Sequence, residues 1–260
     1  MKQIIQCKSL CEIEWLIHGS TTREFNPEPG EKIDELKRLA ETLNLSPSAF
    51  LFAHQKHTNH AFYLDQEHGG LALNHIYVLE NTDAVGTDVP EVLAAVFTAD
   101  CVPIFLVDRK ARRFMLVHAG WKGTLHKVAV RALENLIQRG TNPGDIMAWL
   151  GPAIGQCCYE VSGEMAEDFT KEFPSLPHAI RDRYIDLKEI NAFQIEERGV
   201  KRKNIHISET CTKCESERFY SYRAMGGIKG RILNVAMILP SKEQGNKERD
   251  FCHKKHKKTQ

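Results

Sequence analysis

The segment from Val92 to Gly120 places the strongest constraint on the fold, because three apolar runs follow one another almost without interruption. The runs read VLAAVFTAD, CVPIFLV and RFMLVHAG, and the polar turn DRKARR joins the last two. Short apolar runs bounded by turn residues are typical of strands that are buried inside a domain. The sequence therefore predicts buried strands at the centre of the fold.

Other segments supply further elements around this centre. The patterns FLFAH, IYVLE, IMAWL and RILNVAMILP predict strands, and EKIDELKRLAETLN has apolar residues at helical spacing. A single long helix is predicted for KGTLHKVAVRALENLIQRG, ended by Gly140 and Pro143, and two more for VSGEMAEDFTKEF and DLKEINAFQIEERG. Strands dominate the middle of the chain, and helices follow singly and in pairs. This order predicts one α/β (α+β) domain with a mixed sheet.

Composition excludes several classes of partner. The chain has 260 residues and a formal net charge of only +1, which gives no electrostatic reason to expect binding to nucleic acid. No apolar stretch approaches the roughly 18 residues that a membrane span needs. The first residues, MKQIIQCKSLCEIEW, carry Lys8, Glu12 and Glu14 where a signal peptide needs an apolar core. We therefore expect a cytoplasmic protein whose thiols stay free or bind metal.

The end of the chain differs in composition from the rest. Residues 241–260, SKEQGNKERDFCHKKHKKTQ, are polar and basic and have almost no apolar side chains. Such a segment has too little apolar surface to pack against a core. The predicted organisation is therefore one domain over residues 1–240, followed by a disordered basic tail.

Three residues are candidate metal ligands: His57 in AHQKHTNH, Cys101 in TADC and His118 in VHAGW. One thiolate and two imidazoles suit Zn²⁺, and three protein ligands leave a fourth position open for water or substrate. Cys101 and His118 follow or end predicted strands, where a sheet can bring distant side chains together. The spacing alone does not fix the trio, since a lone cysteine on an apolar strand is commonly a small buried hydrophobe.

The remaining reactive side chains have less specific patterns. Asp100 precedes Cys101, where it either moves protons beside a metal or caps a turn. Arg23, Lys122 and Arg223 are candidate ligands for an anion, although most basic side chains are simply solvated. CTKC, Cys211 to Cys214, is a C-x-x-C pair, but a zinc ribbon needs a second such pair nearby, and Cys157 and Cys158 are adjacent rather than spaced. All four are interpreted as ordinary thiols.

Several motifs together resemble one family. QKHT is similar to Q-x-H-G, TDAVGT to D-A-L-V-T, TADCVPIFLVD to T-A-D-C-x-P, and VHAGWKG to H-A-G-W-R-G. GPAIGQCCYEV and CTKCESERFYSYRA resemble G-P-x-I-x-x-C-C-Y-E-V and C-T followed by F-x-S-Y-R. On these motifs the chain is identified as a member of the laccase-domain family, named for polyphenol oxidases and now regarded as zinc-dependent purine nucleoside phosphorylases with adenosine deaminase activity. The resemblance runs from about His18 to Leu239.

The resemblance implies a single-domain mixed-sheet sandwich flanked by helices, with a metal site near the strand ends. It implies action on adenosine, inosine and related nucleosides, including guanosine and 5'-methylthioadenosine, with phosphate as co-substrate. The implied roles, residue by residue, are zinc binding by His57, Cys101 and His118; catalysis by Asp100 and Cys101; and substrate or phosphate binding by Arg23, Gln55, Asp83, Lys122 and Arg223. Thr58 and Lys122 depart from the Gly and Arg that the family has there.

Three alternatives stay open from the sequence. The first is a copper-dependent polyphenol oxidase, which needs several coppers and clustered histidines, typically as H-x-H; the chain contains no H-x-H. The second is an amidase acting on cell-wall peptides through a metal-activated water. The third is a zinc protein without catalytic activity that binds a partner, and it would have four protein ligands and no open position.

Overall fold

The structure is a computed structural model that describes residues 3–25, 31–65, 75–227 and 230–240. These residues form fourteen strands, which are β1 Ile4–Ile5, β2 Leu16–Thr21, β3 Ala49–His54, β4 Ala61–Leu64, β5 His75–Glu80, β6 Ala84–Thr87, β7 Val92–Thr98, β8 Val102–Asp108, β9 Arg113–Ala119, β10 Ile146–Leu150, β11 Ile180–Arg181, β12 Tyr184–Ile185, β13 Ile205–Ile207 and β14 Ile232–Ile238. They also form six α-helices, which are α1 Lys32–Thr42, α2 Trp121–Leu125, α3 Val128–Gln138, α4 Gly163–Glu172, α5 Leu187–Glu196 and α6 Tyr222–Met225. The predicted tail, 241–260, lies outside the described residues.

Twelve of these strands make two six-stranded sheets. The first sheet has the order β1-β2-β14-β7-β3-β5, and the second has the order β13-β10-β8-β9-β6-β4. Both sheets are mixed: β3 runs parallel to β7 and β5, whereas β14 runs antiparallel to β2 and β7. The chain passes from the first sheet to the second between β7 and β8. The predicted fold class, a mixed α/β sandwich, is confirmed.

Alternating side chains of the strands fill separate apolar cores on the two faces of each sheet. In β7, Val92, Ala94 and Val96 point between the sheets, where they meet Phe105 and Trp149 of the second sheet. The neighbouring residues of β7 point the other way, toward α1. This period-two alternation explains why the segment is apolar throughout, since both of its faces are covered.

Helices cover the two outer faces of the sandwich. On the first sheet, α1 buries Leu36 and Leu39 completely, and each such leucine contributes about 1.5–3 kcal/mol of transfer free energy. On the second sheet, α3, α4 and α5 pack over β8, β9 and β10. Four layers result, a helix, two sheets and a group of helices. Within the described residues, no helix combines the length and apolar character that crossing a bilayer demands.

The prediction of a single long helix after β9 is wrong, because the structure divides this segment into two helices. Helix α2 ends at Leu125, and α3 begins only at Val128. Lys127 between them has a φ of 58°, in the left-handed region that interrupts a right-handed helix. The side-chain amide of Gln194 in α5 donates to the carbonyl oxygen of Thr124 at 2.9 Å. The break therefore depends on a polar contact from a distant helix, which helical periodicity does not reveal.

One buried histidine stands out in the core between the sheets. His18 in β2 is fully buried, and its ring lies edge-on to Phe105 and Trp149. Its Nε2 accepts a hydrogen bond of 3.0 Å from the backbone N–H of Cys7, so this nitrogen is unprotonated. Burial lowers the pKa of His18 to about 4, because the apolar surroundings disfavour the imidazolium.

We expect this histidine to make the folded state less stable in mild acid. Between pH 6.5 and pH 4 the unfolded chain takes up a proton on His18 that the folded chain does not, so the free energy of unfolding falls. The full loss is about 3 kcal/mol, at about 1.4 kcal/mol per pKa unit. Urea unfolding at several pH values measures it. In His18→Gln, whose amide oxygen still accepts from Cys7, the fall with pH should be smaller; identical pH profiles for both proteins contradict the prediction.

Candidate metal centre

The three predicted metal ligands lie together at one end of the sandwich. His57 follows β3 in the first sheet, Cys101 lies in the crossover from β7 to β8, and His118 is in β9 of the second sheet. Their nearest ligand atoms all lie within 4.8 Å of one another, and Cys101 Sγ is 3.9 Å from His57 Nε2. The site is therefore built from both sheets.

The backbone around the trio is strained and closely packed. His57 and Asp100 have φ values of 61° and 89°, which side chains other than glycine rarely adopt. Gly120 approaches so closely that a Cβ atom there would lie 2.6 Å from His57 Cδ2 and 3.0 Å from Cys101 Sγ. Only glycine fits at this position without displacing the ligands. The sequence contains this glycine in its H-A-G-W motif, but the sequence alone does not show that the ligands leave no room for a side chain there.

A buried carboxylate fixes both histidines. Asp83 is fully buried, and one oxygen lies 2.7 Å from Nδ1 of His118. The same carboxylate accepts hydrogen bonds from the backbone N–H groups of Lys56, His57 and Thr58. It therefore holds the loop that carries His57, and it leaves Nε2 of His118 available as the metal ligand. Asp83 thus contacts His118 directly, and its contact with substrate stays a prediction.

The charges of this group are strongly coupled. Burial raises the pKa of the Cys101 thiol, but the charge and hydrogen bonds of His118 and His57 outweigh burial and bring it to about 6. Burial lowers the pKa of His118, yet the Cys101 thiolate and Asp83 raise it to about 9. Burial also raises the pKa of Asp83, and its hydrogen bond and attraction to His118 reverse this to about 2. The thiolate form of Cys101 is thus favoured near neutral pH.

The chemistry of the donor set fits a divalent zinc ion. A tetrahedral zinc with a thiolate at about 2.3 Å and an imidazole at about 2.0–2.1 Å places the sulfur and nitrogen roughly 3.6 Å apart. The observed 3.9 Å between Cys101 and His57 is close to this value. A metal-binding histidine typically donates its other ring N–H to a carboxylate, as His118 does to Asp83.

The side chain of Asp100 is held by two segments that are distant from it in sequence. Its carboxylate oxygens accept hydrogen bonds from the hydroxyl of Thr212 at 2.6 Å and the backbone N–H of Arg223 at 2.8 Å. Its carbonyl oxygen accepts from the backbone N–H of Ile154 at 2.9 Å. Asp100 thus links the crossover that carries Cys101 to the loop after β10 and to the start of α6.

The predicted anion-binding residues occupy different surroundings. The Arg223 guanidinium donates to the carbonyl oxygen of Glu160 and lies over the ring of Tyr159. Arg23 donates to the carbonyl oxygen of Ser216 at 2.7 Å. Lys122 is exposed beside the ring of its neighbour Trp121.

Gln55, expected to bind substrate, makes a hydrogen-bond pair with the backbone of another strand. Its amide oxygen accepts from Phe97 N–H and its amide nitrogen donates to Phe97 C=O, both at 2.9 Å. The side chain thereby continues the pairing of β3 with β7 past the end of β3. This fixes the start of the loop that leads to His57.

Sequence reasoning missed a basic residue near the trio. Arg231 is half-buried, and burial lowers its pKa while the negative charges of Glu35 and Cys101 oppose the change. It precedes β14, whose first residue pairs with Thr98 at the end of β7. Lys32 donates to the carbonyl oxygen of Ala53 at 3.0 Å and lies over the ring of Phe97, the residue before Thr98. A search for polar side chains at strand ends, as used for Cys101, would have found Arg231.

Comparison with known families gives a match over most of the chain. The model of a family described as multi-copper polyphenol oxidoreductase laccase matches residues 27–239. A Bacteroides thetaiotaomicron protein named purine nucleoside phosphorylase is 30% identical over 261 residues, covering 91% of this chain and 97% of that protein. A protein named adenosine deaminase RL5, from an unknown prokaryotic organism, is 32% identical over 208 residues, covering 77% and 79%.

Solved structures have the same fold. YlmD from Geobacillus stearothermophilus superposes with a TM-score of 0.77 at 27% identity and covers 92% of this chain and 97% of its own. A Bacillus licheniformis hypothetical protein, YfiH, gives a TM-score of 0.75 at 30% identity, with 86% and 92% covered.

Proposed function

Because the chain belongs to the multi-copper polyphenol oxidoreductase laccase family, in which it is similar to proteins named purine nucleoside phosphorylase and adenosine deaminase, we propose that it is a zinc-dependent enzyme with both activities. The substrates are adenosine, inosine and related purine nucleosides. The observation that carries the proposal is the cluster of His57, Cys101 and His118, which offers three ligands to one metal ion.

The donor set favours zinc over the copper chemistry in the family's description. A laccase needs several copper ions with many imidazole ligands. Among the residues the structure describes, two clusters can hold a metal, and only the trio contains histidine. Two imidazoles and one thiolate with an open position are the donors of catalytic zinc sites. When bound, zinc supplies a Lewis acid at the fourth position.

The chain's own residues prepare this position. Asp83 orients the ring of His118 through Nδ1 and holds the backbone of the loop that carries His57. Cys101 contributes a thiolate, and Gly120 leaves the space that a side chain would fill. We assign Asp100 a positioning role, because both carboxylate oxygens are engaged by Thr212 and Arg223.

For the phosphate we propose Arg231 with Lys32 as the binding groups. Arg231 directly precedes Ile232, which pairs with Thr98 three residues before Cys101, and Lys32 lies over the ring of Phe97 beside Thr98. A guanidinium can bind phosphate oxygens in a bidentate manner, which would align the phosphate with the anomeric carbon of the ribose. In phosphorolysis a phosphate oxygen bonds to this carbon, the bond to the base breaks, and the base gains a proton.

We propose residues 1–240 as the catalytic domain, since β14 ends at Ile238 and lies within the first sheet. A reducing compartment such as the cytoplasm would keep Cys101 available as a ligand.

Product analysis tests the proposed function. Zinc-loaded enzyme with inosine and phosphate should release hypoxanthine and ribose 1-phosphate in equal amounts, and without phosphate it should release neither. With adenosine and no phosphate, it should release inosine and ammonia, because water replaces the amino group. Consumption of neither nucleoside, together with oxidation of a phenol by copper-loaded protein, would contradict the proposal.

A variant separates the two reactions. Arg231→Gln should raise the KM for phosphate by about 10- to 100-fold, since a hydrogen bond to a charged group contributes about 1.5–3 kcal/mol. Deamination of adenosine, which needs no phosphate, should change much less. Lys171→Gln is the control, because that side chain is exposed in α4 and pairs with Glu167 of the same helix. Equal effects on both reactions would place Arg231 outside the phosphate site.

A further inference from the structure

We propose that Cys157, Cys158, Cys211 and Cys214 form a second metal site that binds one Zn²⁺ through four thiolates. The four sulfur atoms come from two loops, one after β10 and one before α6, and all lie within 4.8 Å of one another. Cys211 and Cys214 have the C-x-x-C spacing of a zinc-binding pair, and the fold brings Cys157 and Cys158 to them as the second pair. This site is separate from the His57, Cys101 and His118 trio and contributes none of its ligands.

The sulfur separations agree with tetrahedral zinc. Four thiolates at about 2.3 Å from one ion lie roughly 3.8 Å apart from each other. Cys214 Sγ is 3.7 Å from Cys157 Sγ and 3.4 Å from Cys158 Sγ. Four such sulfurs need only small side-chain adjustments to surround an ion. A site with four protein ligands has no open position, which is typical of structural zinc.

The surrounding backbone holds the two loops in position for this site. Ala153 and Cys211 form a parallel β-bridge, and the N–H of Thr212 donates to the carbonyl of Ala153 at 3.0 Å. The N–H of Gly155 points at Cys211 Sγ at 3.2 Å, as backbone donors do toward metal-bound thiolates. The bridge and the Thr212 hydrogen bond are backbone contacts, so they hold the two loops together without any bond between the four sulfur atoms.

A buried cation lies close to the cluster and compensates part of its charge. Lys188 in α5 is only 5% exposed, and its ammonium donates to the carbonyl oxygens of Ser208 and Thr210, directly before Cys211. A zinc ion with four thiolates carries a net charge of −2. The positive charge of Lys188, which contacts the loop that carries Cys211, offsets part of this net negative charge.

The site would also support the catalytic centre. Thr212 follows Cys211 directly, and its hydroxyl donates to the Asp100 carboxylate beside Cys101. A metal that fixes this loop would therefore fix the partner of Asp100. Loss of the second ion should lower turnover without removing the metal from the trio.

Metal counting on the purified full-length protein tests the proposal. Elemental analysis should find one zinc fewer per chain in Cys214→Ser than in the natural protein, and one fewer in Cys101→Ser as well, with the two losses adding in the double variant. Cys11→Ser is the matched control, because Cys11 lies outside both clusters, and its zinc content should be unchanged. An unchanged content in Cys214→Ser overturns the proposal.

X-ray absorption of zinc-loaded Cys101→Ser gives an independent test that needs no change in the four cysteines. This variant should retain an ion with four sulfur neighbours at about 2.3 Å and no nitrogen or oxygen neighbour. A coordination shell containing nitrogen or oxygen indicates adventitious zinc and overturns the proposal. An intact mass that shows the four thiols joined as disulfides, each bond having lost two hydrogens, overturns it also.

Discussion

Replacing Cys101 by serine is expected to remove the metal from the trio and to reduce turnover of both adenosine and inosine by at least about 10³-fold. Cys101 supplies the only thiolate of the trio, and the two histidines that remain are too few to hold a catalytic zinc with three protein ligands. A metal ion contributes several kcal/mol of transition-state stabilisation, and each 1.36 kcal/mol corresponds to about a tenfold change in rate.

Steady-state assays of both reactions, with elemental analysis of the same samples, measure this effect. The fold should persist, because Cys101 lies in a crossover at the end of the sandwich and serine is smaller than cysteine. Circular dichroism and a cooperative thermal transition check that it does. Full metal content in folded Cys101→Ser, with Cys214→Ser as the comparison, would show that this thiol is no ligand.

The second large effect is expected for Asp83→Asn, which should weaken metal binding at the trio by about 10- to 100-fold, as changes to the partners of metal ligands typically do. The carboxylate accepts hydrogen bonds from His118 and from the backbone of Lys56, His57 and Thr58. An amide retains one acceptor oxygen and turns a donor toward the other N–H groups. At least one charge-assisted hydrogen bond is lost, so the free energy of unfolding should fall by about 1.5–3 kcal/mol or more.

Competition with a chelator measures the affinity, and urea unfolding measures the stability. Asp108→Asn is a matched control, because Asp108 is also a buried carboxylate that accepts backbone hydrogen bonds, from Lys110 and Ala111, but in the turn after β8. It should lose stability and keep its metal affinity. If both variants weaken metal binding equally, Asp83 acts through general stability rather than through His118.

The central strands could be predicted because strands that are buried on both faces consist of continuous apolar runs. Val92–Thr98 and Val102–Asp108 have apolar side chains on both faces, and this pattern depends only on neighbouring residues. The division between α2 and α3 could not be predicted, because Gln194 binds Thr124 from another helix. Local patterns therefore predicted the elements, and contacts between distant elements determined their ends.

In the candidate sites too, local patterns identified single residues, and contacts between distant segments determined which residues come together. Cys101, His57 and His118 were weak candidates one by one, and motif resemblance combined them before their distances were available. The four cysteines are interpreted from the sequence as ordinary thiols, because neither pair has a second pair nearby in the chain, and the bridge between Ala153 and Cys211 that brings the pairs together is not visible in the sequence. Arg231 could have been found, because it directly precedes a predicted strand, but its position beside the end of β7 depends on the pairing of β14.

The trio draws its ligands from both sheets, and this has a consequence for the lifetime of the folded protein. His57 follows a strand of the first sheet, His118 belongs to the second, and Cys101 connects them. The binding geometry therefore exists only after the two sheets have stacked. An ion bound to the trio thus stabilises the native state and not the folding transition state. Interactions absent from the folding transition state act on the unfolding rate. Chelating the metal should thus shorten the native half-life while refolding proceeds at its former speed.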